Sequence, residues 1–93
     1  MAREFIAEAA NPQDIFDQIQ QWAASNGFRL TGTVTGGSFS GTPGGMAGYL
    51  YGQISGTYAV TGNRVRIMVD KDLPTGAVSE RLARFGLRLV SSR

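Results

Sequence analysis

Asp70 and Asp72 stand two residues apart on either side of Lys71, the chain's one lysine, a spacing that could hold an acid/base pair or a divalent cation. Nothing beside them offers a third ligand or a nucleophile with its base. The chain contains neither His nor Cys, which removes imidazole bases, thiol nucleophiles, zinc-thiolate sites, disulfides and Ser-His-Asp triads. These carboxylates therefore read as solvated charges where a strand leaves a sheet. Gly36, Gly37, Gly41, Gly44, Gly45 and Gly48 form a second candidate, because backbone amides bare of side chains can cradle phosphate. The Gly-Lys-Ser/Thr of a Walker loop is absent and no Gly-x-Gly-x-x-Gly opens a helix. The expectation for residues 36–48 is a flexible connection or a glycine-kinked sheet, with room for a short strand at Ser38 to Ser40 between two flexible turns. The third candidate joins Tyr49 and Tyr51 to Arg64 and Arg66, residue types that together can stack bases and bind phosphates on an open sheet.

The elements that must position these groups follow from periodicity. Gly62-Asn63 is a two-residue reversal between Tyr49 to Thr61 and Arg64 to Asp70, and it sets a register. Thr61 then faces Arg64, Val60 faces Val65, Tyr58 faces Ile67, Gly56 faces Val69 and Ile54 faces Lys71. Val60, Val65, Tyr58 and Ile67 share the inner side; Ser55, Thr57, Ala59, Thr61, Arg64, Arg66 and Met68 share the outer one. Strict alternation adds Tyr49 and Tyr51 to that outer side. Asn11-Pro12-Gln13-Asp14 starts a helix and Asn26-Gly27 stops it, giving residues 12–25 with Ile15, Ile19 and Trp22 on one stripe. Glu4 to Glu8 reads as a short edge strand, and Phe28, Leu30, Gly32 and Val34 alternate with Arg29, Thr31, Thr33 and Thr35 as another. After Asp72-Leu73-Pro74, Val78, Leu82, Phe85 and Leu89 fall at helical spacing, with Arg81, Arg84 and Arg88 along the outer side. Gly86 can end this helix early and leave Leu87 to Val90 extended. The expectation is one α+β domain over residues 1–93: a two-layer sandwich in the order β-α-β-β-β-α, with an antiparallel sheet and two helices on one face.

Charge divides the chain. Up to Asn26 it carries Arg3 against Glu4, Glu8, Asp14 and Asp17, whereas the remainder carries eight cations against Asp70, Asp72 and Glu80. Such a dipolar chain can self-associate or meet an anionic partner. Glu4 and Glu8 interrupt any apolar run near Met1, and no uncharged apolar stretch nears the ~20 residues of a membrane span. A cytoplasmic protein without a membrane span is expected.

The run from Gly52 to Pro74, with Glu80-Arg81-Leu82 after it, resembles small uncharacterised bacterial α+β proteins in which a hairpin leads through a proline turn into a closing helix. The element order is also similar to the small polyhydroxyalkanoic-acid-system proteins. That resemblance implies a βαβββα fold and an accessory, non-enzymatic role near storage granules or another assembly; it transfers no functional residue. The expected function is binding or self-assembly as a homo-oligomer or with a protein partner, without catalytic residues, cofactor or metal. The contact surface comprises Tyr49, Tyr51, Ala59, Arg64, Arg66 and Met68, together with the hairpin's edge. The alternatives are weak nucleic-acid binding through Tyr49, Tyr51, Arg64 and Arg66, and a small apolar ligand between the first helix and the sheet, reported by Trp22.

Overall fold

The computed structural model describes residues 2–93, apart from the side chains of Pro12 and Ala47. Six strands, β1 (Arg3–Ala9), β2 (Phe28–Thr33), β3 (Gly36–Gly41), β4 (Ile54–Thr61), β5 (Arg64–Val69) and β6 (Leu87–Ser92), form one sheet ordered β2-β3-β4-β5-β1-β6. Every pairing is antiparallel. Three helices, α1 (Ile15–Ser25), α2 (Gly45–Tyr51) and α3 (Thr75–Ala83), complete the fold. Phe5, Ala7, Phe39, Tyr58, Val65, Ile67 and Leu87 point to one side of the sheet and bury Ile15, Ile19 and Trp22 of α1 with Val78 and Leu82 of α3. The class is the expected α+β, with helices packed on an antiparallel sheet.

Local rules explain the elements that match. The Asn11 Oδ1 accepts from the Gln13 amide at 3.1 Å, and its Nδ2 donates to Asp14 Oδ2 at 3.0 Å. The first turn, Pro12–Asp14, is 3₁₀, and α1 continues from it to Ser25. Gly27, at φ +78°, turns the chain out of the helix and into β2. The β4–β5 hairpin carries the expected register from Thr61↔Arg64 to Gly56↔Val69, with Val65, Tyr58 and Ile67 buried and Val60 half-buried on the same side. The further pair Ile54–Lys71 does not form. Ile54 opposes Gly41 instead, and past Val69 the Asp70 carboxylate accepts from the Ser55 amide at 2.9 Å.

Four expectations are corrected. First, β1 is an interior strand between β5 and β6, so the acidic segment Glu4 to Glu8 pairs on both sides. Second, the segment expected to run extended after Gly86 is a sixth paired strand, Leu87–Ser92: Gly86, at φ +81°, ends the helical turn as read, and Leu87 and Leu89 reach the inner side by strand alternation beside Ala9 and Ala7. Third, the β4–β5 hairpin has no free edge, because β3 covers one side and β1 the other. The free edges belong to β2 and β6. Fourth, of the two readings of the glycine-rich segment the flexible connection falls and the glycine-bearing sheet stands, with the short strand expected at Ser38 to Ser40 extended to Gly36–Gly41. Gly36, Gly37 and Gly41 lie in β3, hydrogen-bonded on both sides, while Gly44 precedes α2 and Gly45 and Gly48 lie within it.

The physical reason for the fourth correction is a lattice of aromatic–glycine pairs on the inner side. Phe28 opposes Gly41, Phe39 opposes Gly56, and Tyr58 opposes Gly37, which in turn opposes Gly32. A ring on one strand lies over the bare backbone of the next. At Gly56 an added Cβ would sit 2.5 Å from Phe39 Cζ, and at Gly32 it would sit 2.8 Å from the Tyr58 hydroxyl. Glycine in a strand normally weakens it; here the covering ring restores the buried area that the missing side chain gives up. The Tyr58 hydroxyl reaches across β3 and donates to the Thr33 carbonyl oxygen at 2.7 Å. Burial pushes this phenol above its ordinary value, which keeps the proton in place as the donor. Trp22 from α1 closes the set, edge-on to Phe28 at 5.7 Å and to Phe39 at 5.3 Å.

Candidate functional site

The outer side of the sheet has two dissimilar halves. On β5, β1 and β6 it is ionic: Arg66 meets Glu4 at 2.5 Å, and Glu8 lies between Arg64 at 3.5 Å and Arg88 at 3.1 Å. On β2, β3 and β4 it is uncharged. Arg29 is the sole charged residue among those three strands, and Thr31, Thr33, Ser38, Ser40, Ser55, Thr57, Ala59 and Thr61 make up most of their outer surface.

Of the residues read from the sequence as one contact surface, Ala59, Arg64, Arg66 and Met68 do share the outer side, as neighbours across β4 and β5. Tyr49 and Tyr51 do not. Alternation backwards from Thr61 holds only to Ile54; before it, Gly52 closes the short helix α2, which carries both tyrosines. Tyr49 is 86% exposed and Tyr51 is half-buried against the core on the helix side. The stacking platform that joined these rings to Arg64 and Arg66 is therefore not assembled, and both arginines already face carboxylates. The basic row is divided too: Arg81 and Arg84 lie on or just past α3, whereas Arg88 belongs to β6.

The carboxylates weighed for acid/base work tie the chain together. Asp70 receives the Ser55 amide, and Asp72 stands 3.6 Å from Arg3, whose guanidinium also donates to the Leu73 carbonyl oxygen and to Thr75 Oγ1. Among the described residues, no three His, Cys, Asp or Glu side chains converge as a metal site would require.

A second feature lies on the helix side. A cavity of about 210 Å³ opens between the end of α1, α2 and the start of α3, walled by Trp22, Phe28, Tyr51, Ile54, Leu73 and Val78. At its rim the Arg81 guanidinium donates to Asn26 Oδ1 at 2.8 Å, and the Asn26 Nδ2 donates to the Trp22 carbonyl oxygen at 2.7 Å. Asn26 is 8% exposed, the one buried polar residue among those described. No local pattern announces this pair, whose members lie 55 residues apart in the chain. Trp22 at the end of the α1 stripe was the available signal for an apolar site here.

No helix of the described residues is long and apolar enough to cross a membrane. No protein-family model, curated protein or solved structure matches the chain.

Proposed function

We propose that this chain is a non-enzymatic binding protein that self-assembles through the free edge of β2 and the uncharged surface beside it. The observation that carries this reading is the single charge on three adjacent strands, the outermost of which ends the sheet. Native sheets block free edges with Lys, Pro, bulges or inward charges, because an unpaired row of amides and carbonyls templates another strand. The far edge has such a device: β6 is bulged opposite Ile6 and Ala7. The strand β2, Phe28–Thr33, contains neither Lys nor Pro and pairs with β3 residue for residue without a bulge.

An antiparallel pairing of β2 with the β2 of a second copy is self-complementary about a two-fold axis and continues the sheet across the axis. Centred on Thr31, it sets Arg29 of each copy opposite Thr33 of the other, which keeps the two guanidinium groups apart. The small Ser, Thr and Ala side chains let the two outer surfaces meet as one flat area. The ion pairing of Arg64 and Arg66 weighs against the nucleic-acid reading.

Sedimentation equilibrium over a micromolar series tests the proposal. A concentration-dependent dimer is expected, and the double variant Thr31→Lys/Thr33→Lys, which sets an ammonium group opposite Arg29, weakens it by at least about tenfold. A strict monomer at every concentration overturns self-assembly.

A further inference from the structure

We infer that the cavity beneath α2 is a binding site for a small monocarboxylate with an apolar body, held with its tail against Trp22, Tyr51, Ile54 and Val78 and its carboxylate on Arg81. Two independent observations point to this ligand class. The first is the wall, which is aromatic and aliphatic apart from Asn26 and Arg81. A dry cavity of about 150 Å³ accommodates a six-carbon ring, so one of about 210 Å³ suits a tail of roughly seven or eight carbons.

The second observation is the state of Arg81. Arg3, Arg64, Arg66, Arg84 and Arg88 each face a carboxylate, whereas the described partner of Arg81 is a neutral amide oxygen. That amide is held from behind by the Trp22 carbonyl oxygen, so Asn26 presents its oxygen to Arg81 and fixes the guanidinium at the rim. One of five guanidinium donors is engaged there, and the fork geometry of the others matches a carboxylate. Beyond Arg81 the rim passes into a second, polar hollow lined by Ser25, Asn26, Arg81 and Arg84, so the charged end of a ligand faces cations and water while its tail stays dry. An amine or a neutral tail finds the same wall without that complement.

The site lies on the helix side of the sheet, so its test stands apart from self-assembly. Octanoate, octanol and octylamine are titrated into the full chain by calorimetry, with Trp22 emission as the reporter of place. Octanoate is expected to bind saturably below about 1 mM at one site per chain and to shift Trp22 emission, with octylamine at least about tenfold weaker. Arg81→Gln lowers octanoate affinity by about tenfold or more, Arg88→Gln, on the opposite side of the sheet, changes it little, and Ala77→Phe, which fills the cavity from an exposed helical position, removes binding. The comparison of the three compounds on the unmodified chain holds whether or not a variant folds. Absence of saturable octanoate binding, equal binding of all three compounds, or unchanged affinity in a folded Arg81→Gln overturns the inference. In the last case Arg81 serves only to tie α3 to the end of α1.

Discussion

Gly37→Ala is expected to lower the stability of the fold by about 3 kcal/mol, seen as a fall in the urea midpoint without loss of cooperativity. The added methyl would stand 2.3 Å from the Thr31 carbonyl oxygen and 2.6 Å from the Gly32 Cα, both backbone atoms of β2. Neither can swing aside as a side-chain end would, so β2 and β3 must part, and with them the strip over which Tyr58 reaches Thr33. Gly76→Ala supplies the contrast. Nothing lies within 4 Å of its added Cβ, and the position falls in the first turn of α3, so stability is expected to rise by about 0.5 kcal/mol. Equal, small effects at the two positions would contradict the packing of β3 described here.

Phe39→Ala is expected to cost about 4 kcal/mol, within the range for deleting a buried aromatic ring. A domain of this length has a stability of about 5–14 kcal/mol in total, so the variant lies near the limit of folding. Phe39 is 2% exposed and serves three neighbours at once: Trp22 at 5.3 Å, Phe28 at 5.4 Å and the bare backbone of Gly56 beneath it. Removing the ring opens a cavity and uncovers the glycine, and the surrounding rings can refill the space only by leaving their edge-on geometry. Urea unfolding gives the magnitude. A red shift of Trp22 emission in the native baseline shows that the loss falls at this cluster.

What could be read from the residues, and what could not, divides along sequence distance. The hairpin was readable because a two-residue reversal at Gly62-Asn63 sets its register locally, and α1 because Asn11 and Gly27 mark both of its ends. The interior position of β1 was not, since its partners lie more than 55 residues away and no local pattern encodes that pairing. Gly86 marks where the helix ends and the chain extends, but Leu89 keeps helical spacing from Val78, Leu82 and Phe85, and no local pattern shows that the extended segment pairs with β1 as β6. Tyr49 and Tyr51 misled in the opposite sense, because their period of two imitates a strand over a helix of seven residues. In the glycine-rich segment a short strand was legible, and its full extent and pairing on both sides were not. A glycine opposite an aromatic ring is a packing device, yet the sequence shows only the glycine until the register across strands is known. The Asn26–Arg81 contact at the cavity rim belongs with β1, as a meeting of distant segments.

Backbone amide exchange in β2, followed at dilute and at high protein concentration, bears most directly on the proposed role of this chain. The β2 amides that face away from β3 are predicted to exchange more slowly as concentration rises, while those on the outer edge of β6 keep one rate throughout. Identical rates for β2 at both concentrations would contradict pairing at this edge.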